Sequence, residues 1–260
     1  MNIKCNLKDL INGLNIVAKA ANKTTMPILD GVLIEAFQGT VKLTTYDLDI
    51  GSEHTFSCEV LSEGSTVVDI KMLNEIVRKI EDETIEIEVN ETVFILKSVN
   101  GIFKLAVMNP DEYPKLPIFN IESSVTLEQK ILKDMIKRTL FSVSNDENRP
   151  IYNGALLKVE DNILTLVAID GFRLSLRKYL SEKNINNFKA IIPGKVLSEL
   201  FKILSEEENQ SVKIGINKNQ ALFEIGQSII VSRIIEGEFL NYNNIIPENY
   251  ETRIRIKTKS

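Results

Sequence analysis

Four stretches of the chain carry apolar residues at the spacing of one face of an α-helix. Residues three or four positions apart share a side of a helix, so the pattern predicts helices within residues 6–23, 70–80, 131–143 and 194–204. The apolar stripes consist of Leu7, Leu10, Ile11, Leu14, Val17 and Ala18; Leu73, Ile76, Val77 and Ile80; Leu132, Met135, Ile136 and Leu140; and Leu197, Leu200, Phe201 and Leu204.

Much of the remaining sequence alternates between apolar and polar residues, as strands with one buried face do. The alternation is clear in residues 41–44, 85–89 and 212–216, whereas residues 163–167 are more continuously apolar and predict a more deeply buried strand. Each half of the chain therefore combines two helices with many strands. This combination predicts an α+β fold, with the helices on one face of the sheets.

The two halves of the chain are versions of one sequence. Residues 27–33 correspond to residues 150–156, and Asp47 corresponds to Asp170, in both cases 123 positions later. Further matches, in the same order, join residues 7–11 to 132–136, residues 71–75 to 195–199 and residues 112–113 to 238–239. A repeat of this length is a whole domain, since solenoid repeats span only about 20–50 residues.

A third copy of the repeat begins near the end of the sequence, where residues 251–257 resemble residues 2–6. We therefore predict one domain at 1–120, a second at 121–250 and the start of a third at 251–260, with residues 118–125 as the connection between the first two. The chain is expected to be a two-domain fragment of a three-domain protein.

Composition restricts the chemistry that the chain can perform. A hydrophobic fraction of 43% and a charged fraction of 26% are typical of soluble globular proteins. The sequence lacks a long apolar run and a signal-peptide pattern, so we expect no membrane span and a cytoplasmic location. One histidine, His54, and two cysteines, Cys5 and Cys58, argue against a zinc site or a Ser–His or Cys–His mechanism. We expect free thiols, no catalytic residue, no metal and no cofactor.

Charge is distributed unevenly along the chain. The net charge is −5, yet the four predicted helices contain eleven basic and four acidic residues, which leaves −12 on the rest. Lysines on the solvated side of amphipathic helices would explain part of this bias. Its recurrence in all four helices favours a second interpretation, in which the helices form one positive surface that holds phosphates without reading bases.

Several motifs, in a fixed order, resemble those of the bacterial DNA polymerase III β subunit, the β sliding clamp. The resemblance covers essentially the whole chain. Its signatures are MPIL at 26–29, LTTYDL at 43–48, NPDEYP at 109–114, AIDGFRL at 168–174, IPGK at 192–195 and EGEF at 236–239.

The resemblance implies the DNA-clamp fold, in which repeated domains each pack two helices on β-sheets. Members of that family have three domains per chain, and two chains close head to tail into a ring around duplex DNA. The ring tethers the replicative polymerase and performs no chemistry. Because the family's interface joins the first domain of one chain to the third domain of the other, we expect a homodimeric ring for the full-length protein and a monomer for this chain.

The expected partners are duplex DNA, bound without sequence preference, and peptides of the replicative polymerase and the clamp loader. The resemblance and the helix charge together predict these DNA-binding residues: Lys23, Lys71, Arg78, Lys133, Lys137, Asn148, Arg149, Lys195 and Lys202. Asn148 and Arg149 belong to the loop at 145–151, where Asp146 and Glu147 would repel phosphates. We expect weak duplex binding that falls steeply with salt.

The resemblance also implies a peptide pocket between the second and third domains. Its predicted second-domain wall consists of Tyr152, Ile169, Gly171, Phe172, Arg173, Leu174 and Pro247. An apolar socket with one cation at its rim suits a peptide anchor. Without the resemblance, Ile169 and Leu174 would be interpreted as ordinary strand core and Gly171 as a turn residue. Peptide binding by this chain is expected to be weak.

Two alternatives remain open at this stage. A two-domain clamp that closes as a trimer fits the length of 260 residues. A metal-dependent nuclease could use Asp47 and Asp170, but two-metal chemistry needs carboxylates that converge on ions about 3.5–4 Å apart. Because the two aspartates occupy equivalent places in separate domains, we expect each to hold its own turn by hydrogen bonds instead.

Overall fold

The computed structural model describes residues 1–19, 26–146, 148–181, 186–246 and 251–257. The predicted α+β class is confirmed, since each half packs two helices on antiparallel sheets. The first half contains β1 Asn2–Asn6, α1 Leu7–Val17, β2 Gly31–Phe37, β3 Thr40–Tyr46, β4 Ile50–Ser57, β5 Glu59–Ser62, β6 Gly64–Asp69, α2 Ile70–Val77, β7 Thr84–Val89, β8 Val93–Ser98 and β9 Gly101–Ala106. The second contains β10 Ser123–Glu128, α3 Gln129–Lys137, β11 Gly154–Glu160, β12 Ile163–Ile169, β13 Leu174–Leu180, β14 Phe188–Pro193, α4 Gly194–Ile203, β15 Ser211–Ile216, β16 Gln220–Ile225 and β17 Ser228–Arg233.

Helices α1 and α2 begin where a polar side chain bonds one of the first free backbone N–H groups, whereas α3 and α4 have no such side-chain cap. The Asn6 side chain accepts a hydrogen bond from the backbone of Lys8, and that of Asp69 accepts one from Met72, both at 2.8 Å. Such caps satisfy donors that have no partner inside the helix. The apolar stripes then lie against the sheets, with Leu14 fully buried. Capping and amphipathicity together explain why these segments are helical.

All four helices end before the sequence windows do, and α1 and α3 end earliest relative to their windows. Helix α1 ends at Val17 and α3 at Lys137, whereas the windows extend to residues 23 and 143. The Thr45 hydroxyl donates to the Val17 carbonyl at 2.6 Å, and the Thr139 hydroxyl donates to the Met135 carbonyl at 2.8 Å. Threonine hydroxyls thus bond carbonyls near the ends of both helices, as such side chains often do in competition with the helix ladder.

The sequence repeat is also a repeat of strand order. The first half contributes β1-β7-β8-β9, extended by β5, and β4-β3-β2-β6; the second contributes β10-β15-β16-β17 and β13-β12-β11-β14. The two halves are joined by antiparallel pairing of β17 with β4, which makes one continuous sheet of eight strands.

Each half encloses its own hydrophobic core. Phe94 is fully buried in the first core, and Phe223, only 1% exposed, lies in the second. Ile50 of β4 belongs to the second core although it comes from the first half. The seam between the halves is therefore packed as well as hydrogen-bonded.

The observed strands can be compared with the predicted domain boundaries. Strand β10 begins at Ser123, so the last part of the expected connection at 118–125 is strand. Residues 251–257, predicted to start a third copy, form no strand and are exposed along their whole length. A strand needs a neighbour to bond its backbone, and none of the described strands pairs with this segment. No helix in the described part of the chain is long and apolar enough to cross a membrane.

Candidate functional sites

The predicted basic residues differ in how far their charges are already compensated. Lys71 and Lys137 are exposed, and no ion pair joins either of them to another described residue. Arg78 is also exposed and donates to the side chains of Asn74 at 3.2 Å and Asn15 at 2.5 Å, both neutral amides. These three residues keep their positive charge available on the helices. Lys23 lies outside the described residues.

Three predicted lysines are engaged by carboxylates. Lys133 lies 3.1 Å from Glu206 and 5.5 Å from the centre of the Phe201 ring, and its side chain is only 19% exposed. Lys202 pairs with Glu199 at 2.9 Å, three residues earlier on α4. The acidic segment after α4 therefore bonds back to α3 and weakens the charge bias counted from the sequence. The DNA-binding role of these lysines stays a prediction.

Lys195, the third of them, is part of the junction between the two halves. Its ammonium lies 3.1 Å from Asp47 of the first half, whose side chain is only 7% exposed. The other oxygen of Asp47 accepts hydrogen bonds from the backbone N–H groups of Asp49 at 3.1 Å and Ile50 at 2.7 Å. Burial raises the pKa of Asp47, but the bonds from Ile50, Lys195 and Asp49 outweigh it, so the pKa is lowered overall. The sequence did not predict this ion pair.

Charges at the helices of the two halves influence one another across this junction. Burial lowers the pKa of Lys19, just after α1; the carboxylate of Glu199 opposes this shift, and the nearby charge of Lys202 reinforces it. Lys19 is therefore within electrostatic reach of α4 of the other half. That the basic helices form one surface stays a prediction.

The loop at 145–151, described except for Glu147, is tied together by Asp146. One oxygen of this carboxylate accepts hydrogen bonds from the backbone of Asn148 at 3.0 Å and from its side-chain amide at 2.9 Å. The Arg149 guanidinium lies near Gly171 instead, since a Cβ built on that glycine would be 3.6 Å from Nη1. The structure thus brings Arg149, predicted to bind DNA, together with the predicted peptide pocket.

Strands β12 and β13 build the apolar part of that pocket. Ile169 and Leu174 are directly opposite each other across the two strands, and Ile169 is 6% exposed. Leu174 packs on a small cluster separate from the main cores. The cluster consists of Leu156, Val167, Ile191 and Tyr242, with Ile151, Leu174, Leu176, Ile235 and Phe239 packed against them.

The turn between these strands presents polar and aromatic groups. Asp170 accepts hydrogen bonds from the backbone of Phe172 and Arg173, both at 3.0 Å, as Asp47 does at the equivalent turn. Gly171 has φ of +94°, which favours glycine because a side chain would be strained there. Phe172 is fully exposed, and the Arg173 guanidinium pairs with Asp170 at 2.8 Å and lies 5.6 Å from the centre of the Phe141 ring. Arg173, the predicted rim cation, is therefore paired within its own turn, and its role in peptide binding stays a prediction.

A cleft of about 490 Å³ adjoins this surface, lined by Asn148, Arg149, Pro150, Ile151, Tyr152, Glu236, Glu238 and Leu240. Tyr152 meets the edge of Phe239 with ring centres 6.4 Å apart. Phe239 and Leu176 pack on the same cluster as Leu174 but were not among the predicted pocket residues. Leu176 follows Leu174 with the period of two that places side chains on the same face of a strand, so that signal was available. Pro247 lies outside the described residues.

Histidine and cysteine often carry catalysis, but His54 and Cys5 are buried in this fold. Nδ1 of His54 lies 2.8 Å from the Ser228 hydroxyl across the β4–β17 seam, and burial lowers its pKa, opposed by the charge of Asp9. Cys5 and Cys58 are free thiols, and burial raises the pKa of Cys5 to about 12. Among the described residues, no group of three or more ligating side chains is placed to hold a metal.

Comparison with known proteins agrees with this architecture. Residues 1–117 match the family model of the DNA polymerase III beta subunit N-terminal domain, and residues 126–241 match that of its central domain. A "Beta sliding clamp" from Halalkalibacterium halodurans is 39% identical, over 96% of this chain and 69% of its own length.

Two solved structures show the same fold. The DNA polymerase sliding clamp from Bacillus subtilis superposes with a TM-score of 0.91 at 33% identity, over 96% of this chain and 68% of that one. The DNA polymerase III subunit beta from Bartonella birtlesii, crystallised bound to griselimycin, has a TM-score of 0.89 at 29% identity, over 95% and 68%. With its two matched domains, its repeated strand order and these relatives, the chain belongs to the family of the bacterial DNA polymerase III beta subunit, the sliding clamps.

Proposed function

We propose that this chain acts in DNA replication as part of a sliding clamp, a processivity factor that surrounds duplex DNA and tethers the replicative polymerase. The observation that carries the proposal is the pair of clamp domains joined by a continuous sheet, and we infer that the basic helices of both domains share one surface. Phosphate contacts from such a surface are independent of base sequence, as a clamp that slides requires. Two chains would close such a ring.

The proposed role is non-catalytic. The two aspartates that a nuclease would need are both occupied in their own turns, and Asp47 also pairs with Lys195. Among the described residues, the two carboxylates do not belong to a common cluster that could hold a metal. A protein that acts on bacterial chromosomal DNA works in the cytoplasm, the location predicted from the sequence.

Charge reversal at the two uncompensated helix lysines tests DNA binding. We expect the double variant Lys71→Glu, Lys137→Glu to bind duplex more weakly than the unmodified chain, because it neutralises fewer phosphates and so releases fewer counterions. The slope of log K against log salt concentration should become shallower by about 0.9 for each phosphate that is no longer neutralised. Fluorescence anisotropy with a labelled duplex, titrated at several salt concentrations, measures both quantities.

Lys218→Glu is the matched control, since this exposed lysine lies in the β15–β16 turn, away from the helices. It should leave the salt slope unchanged. An equal decrease in affinity for the control and the double variant would mean that net charge, rather than the helix surface, governs binding. An unchanged slope in the double variant would contradict the proposed surface.

The proposed peptide partners would anchor at the surface of Leu174, Leu176 and the adjoining cleft. The relative from Bartonella birtlesii is bound to griselimycin, which supports ligand binding within the family. Because the resemblance places half of the pocket on a third domain, we expect only weak binding of polymerase-derived peptides to this chain.

Leu174→Ala should weaken that binding further by removing part of the apolar floor. The exposed Leu61, which is on β5 in the other domain, provides the control variant Leu61→Ala. Isothermal titration calorimetry measures both. Nanomolar affinity of the unmodified chain would contradict the expected half-pocket, and an equal weakening in the two variants would place the peptide elsewhere.

A further inference from the structure

A second cleft in the second half lies along strand β14 and is distinct from the cleft beside Tyr152. Its volume is about 570 Å³. Among the described residues, the two clefts share Glu236, Glu238 and Leu240 and are otherwise lined by different side chains. The second cleft has a basic lining, which consists of Lys158 on β11, Lys189 on β14 and Lys218 in the β15–β16 turn.

Two of these lysines oppose each other on paired strands. Lys158 and Lys189 are directly opposite in the antiparallel register of β11 and β14. The Ile191 carbonyl accepts a hydrogen bond from the Ile235 N–H at 2.9 Å, so it points away from β11. Backbone groups two residues apart on a strand point the same way, so the two lysines form a pair without mutual backbone bonds, in which opposed side chains lie closest. Like charges in this position repel each other and destabilise the sheet.

Little of this positive charge is compensated within the chain. Lys158 forms an ion pair with Glu160, two residues along the same strand, at 2.5 Å. Lys189 and Lys218 are both exposed, and no described residue forms an ion pair with either of them. The side of the cleft built by β11 and β14 therefore attracts anionic groups, and a bound carboxylate would relieve the repulsion between the two opposed lysines.

The equivalent cleft in the first half shows that the fold does not require opposed lysines. Glu35 stands in the place of Lys158, and it lies opposite Ser65, which stands in the place of Lys189. Both line a cleft of about 540 Å³. Lys42 in the same cleft lies 2.8 Å from Glu35, so the charges there compensate each other. The basic character of the second cleft is therefore a property of its own residues.

The backbone beside the basic side chains suits a peptide. Strand β14 is an edge strand among the described residues. The backbone groups of Lys189 point to its free side, as those of Ile191 do, and no described backbone group bonds them there. An extended peptide can add to such an edge through its own N–H and C=O groups, which a nucleic acid lacks. The floor of the cleft is apolar and includes Leu156, Phe239 and Tyr242.

We propose that this cleft binds an acidic peptide segment of a partner protein, extended along the free side of β14. One carboxylate of the segment bridges Lys158 and Lys189, and a second pairs with Lys218. A neighbouring apolar residue contacts the floor at Phe239. The exposed carboxylates of segment 236–238 also line the cleft and keep the acidic residues of the peptide on the β11–β14 side. This inference depends neither on duplex binding nor on the peptide pocket at Leu174.

Fluorescence anisotropy with a labelled peptide of alternating glutamate and valine tests the proposal. The 260-residue chain should bind this peptide, and salt should weaken the binding because exposed charges are screened. The same peptide with glutamine in place of glutamate should bind about tenfold more weakly, since it lacks the charge-assisted hydrogen bonds. Equal affinity for the two peptides would overturn the proposal, as would displacement of the acidic peptide by an equal concentration of inorganic phosphate.

Lys189→Glu separates peptide binding from folding. It turns a pair of like charges into a pair of opposite charges, so the temperature of unfolding should not fall. The affinity for the acidic peptide should nevertheless decrease by about tenfold, because an attractive contact is lost. Lys178→Glu is the matched control: this exposed lysine on β13 is opposite Thr165, as Lys158 is, and so shares its face of the sheet, but it does not line the cleft.

The control variant should bind the acidic peptide as the unmodified chain does. Equal weakening in Lys178→Glu and Lys189→Glu would show attraction by net charge alone and would overturn the proposal, and so would undiminished binding by Lys189→Glu. Phe172→Ala removes a fully exposed ring of the predicted peptide pocket and should leave the affinity unchanged. A loss of binding in this variant would place the acidic peptide in that pocket instead and would equally overturn the proposal.

Discussion

Replacing Phe223 by alanine should lower the free energy of unfolding of the second half by about 3–5 kcal/mol. Phe223 lies on β16, is 1% exposed and belongs to the core of the second half. Removing a buried ring forfeits its transfer free energy and leaves a cavity that the close-packed surroundings fill only in part. Urea unfolding measures the decrease, and hydrogen exchange should locate the weakened amides in the second half.

Two further variants show whether the loss of stability is specific to the core of the second half. Phe94→Ala removes the equivalent bulk from the first core, where Phe94 is fully buried, and should weaken the first half by a similar amount. Phe37→Ala, at a ring that is 56% exposed, should change stability by no more than about 0.5 kcal/mol. Equal acceleration of amide hydrogen exchange in both halves by Phe223→Ala would contradict this prediction. It would mean that the two cores unfold as one unit although they are separate in the structure.

Local patterns predicted the elements of this fold well, because helices and strands have periods that are visible over a few residues. Strand 163–167 lies within β12, and all four helices occur where the apolar stripes place them. The internal repeat added a prediction about side chains. Because Asp47 and Asp170 are equivalent, each was expected to hold its own turn by hydrogen bonds, and each does. Helix ends were predicted less well, because the bond from Thr45 to Val17 joins residues 28 positions apart.

Interactions between the halves could not be predicted in the same way. The pair of Lys195 and Asp47 joins residues 148 positions apart, and nothing local marks either residue as the other's partner. The contact of Glu206 with Lys133 lies within the second half, but it also joins residues far apart in sequence, and it compensates one positive charge of the helices. A count of charges along the sequence treats every lysine as exposed and unpaired. In the folded chain, some of these lysines form ion pairs with nearby carboxylates.

Asp47→Ala should lower the free energy of unfolding by about 2–3 kcal/mol, since charged hydrogen bonds contribute more than neutral ones and their removal leaves N–H groups without an acceptor. The donors affected are the backbone of Asp49 and Ile50 and the ammonium of Lys195. Asp47→Asn is the matched variant: it keeps one acceptor oxygen but removes the charge, so its effect should be smaller. Asp170→Ala should also cost less than Asp47→Ala, because that turn faces solvent.

The pH dependence of the unfolding free energy of Asp47→Ala shows whether the charge of Asp47 causes the loss of stability. The pKa of Asp47 is lowered in the folded chain, despite burial, by its bonds to Ile50, Lys195 and Asp49. A group with a depressed folded pKa stabilises the folded state above its unfolded pKa, about 3.9 for aspartate, and that contribution disappears as the pH falls through the folded value. The difference in unfolding free energy between the unmodified chain and Asp47→Ala should therefore be constant near neutral pH and shrink below about pH 4. A difference that stayed constant into strong acid would mean that Asp47 acts through packing alone, and that the ion pair with Lys195 does not stabilise the junction.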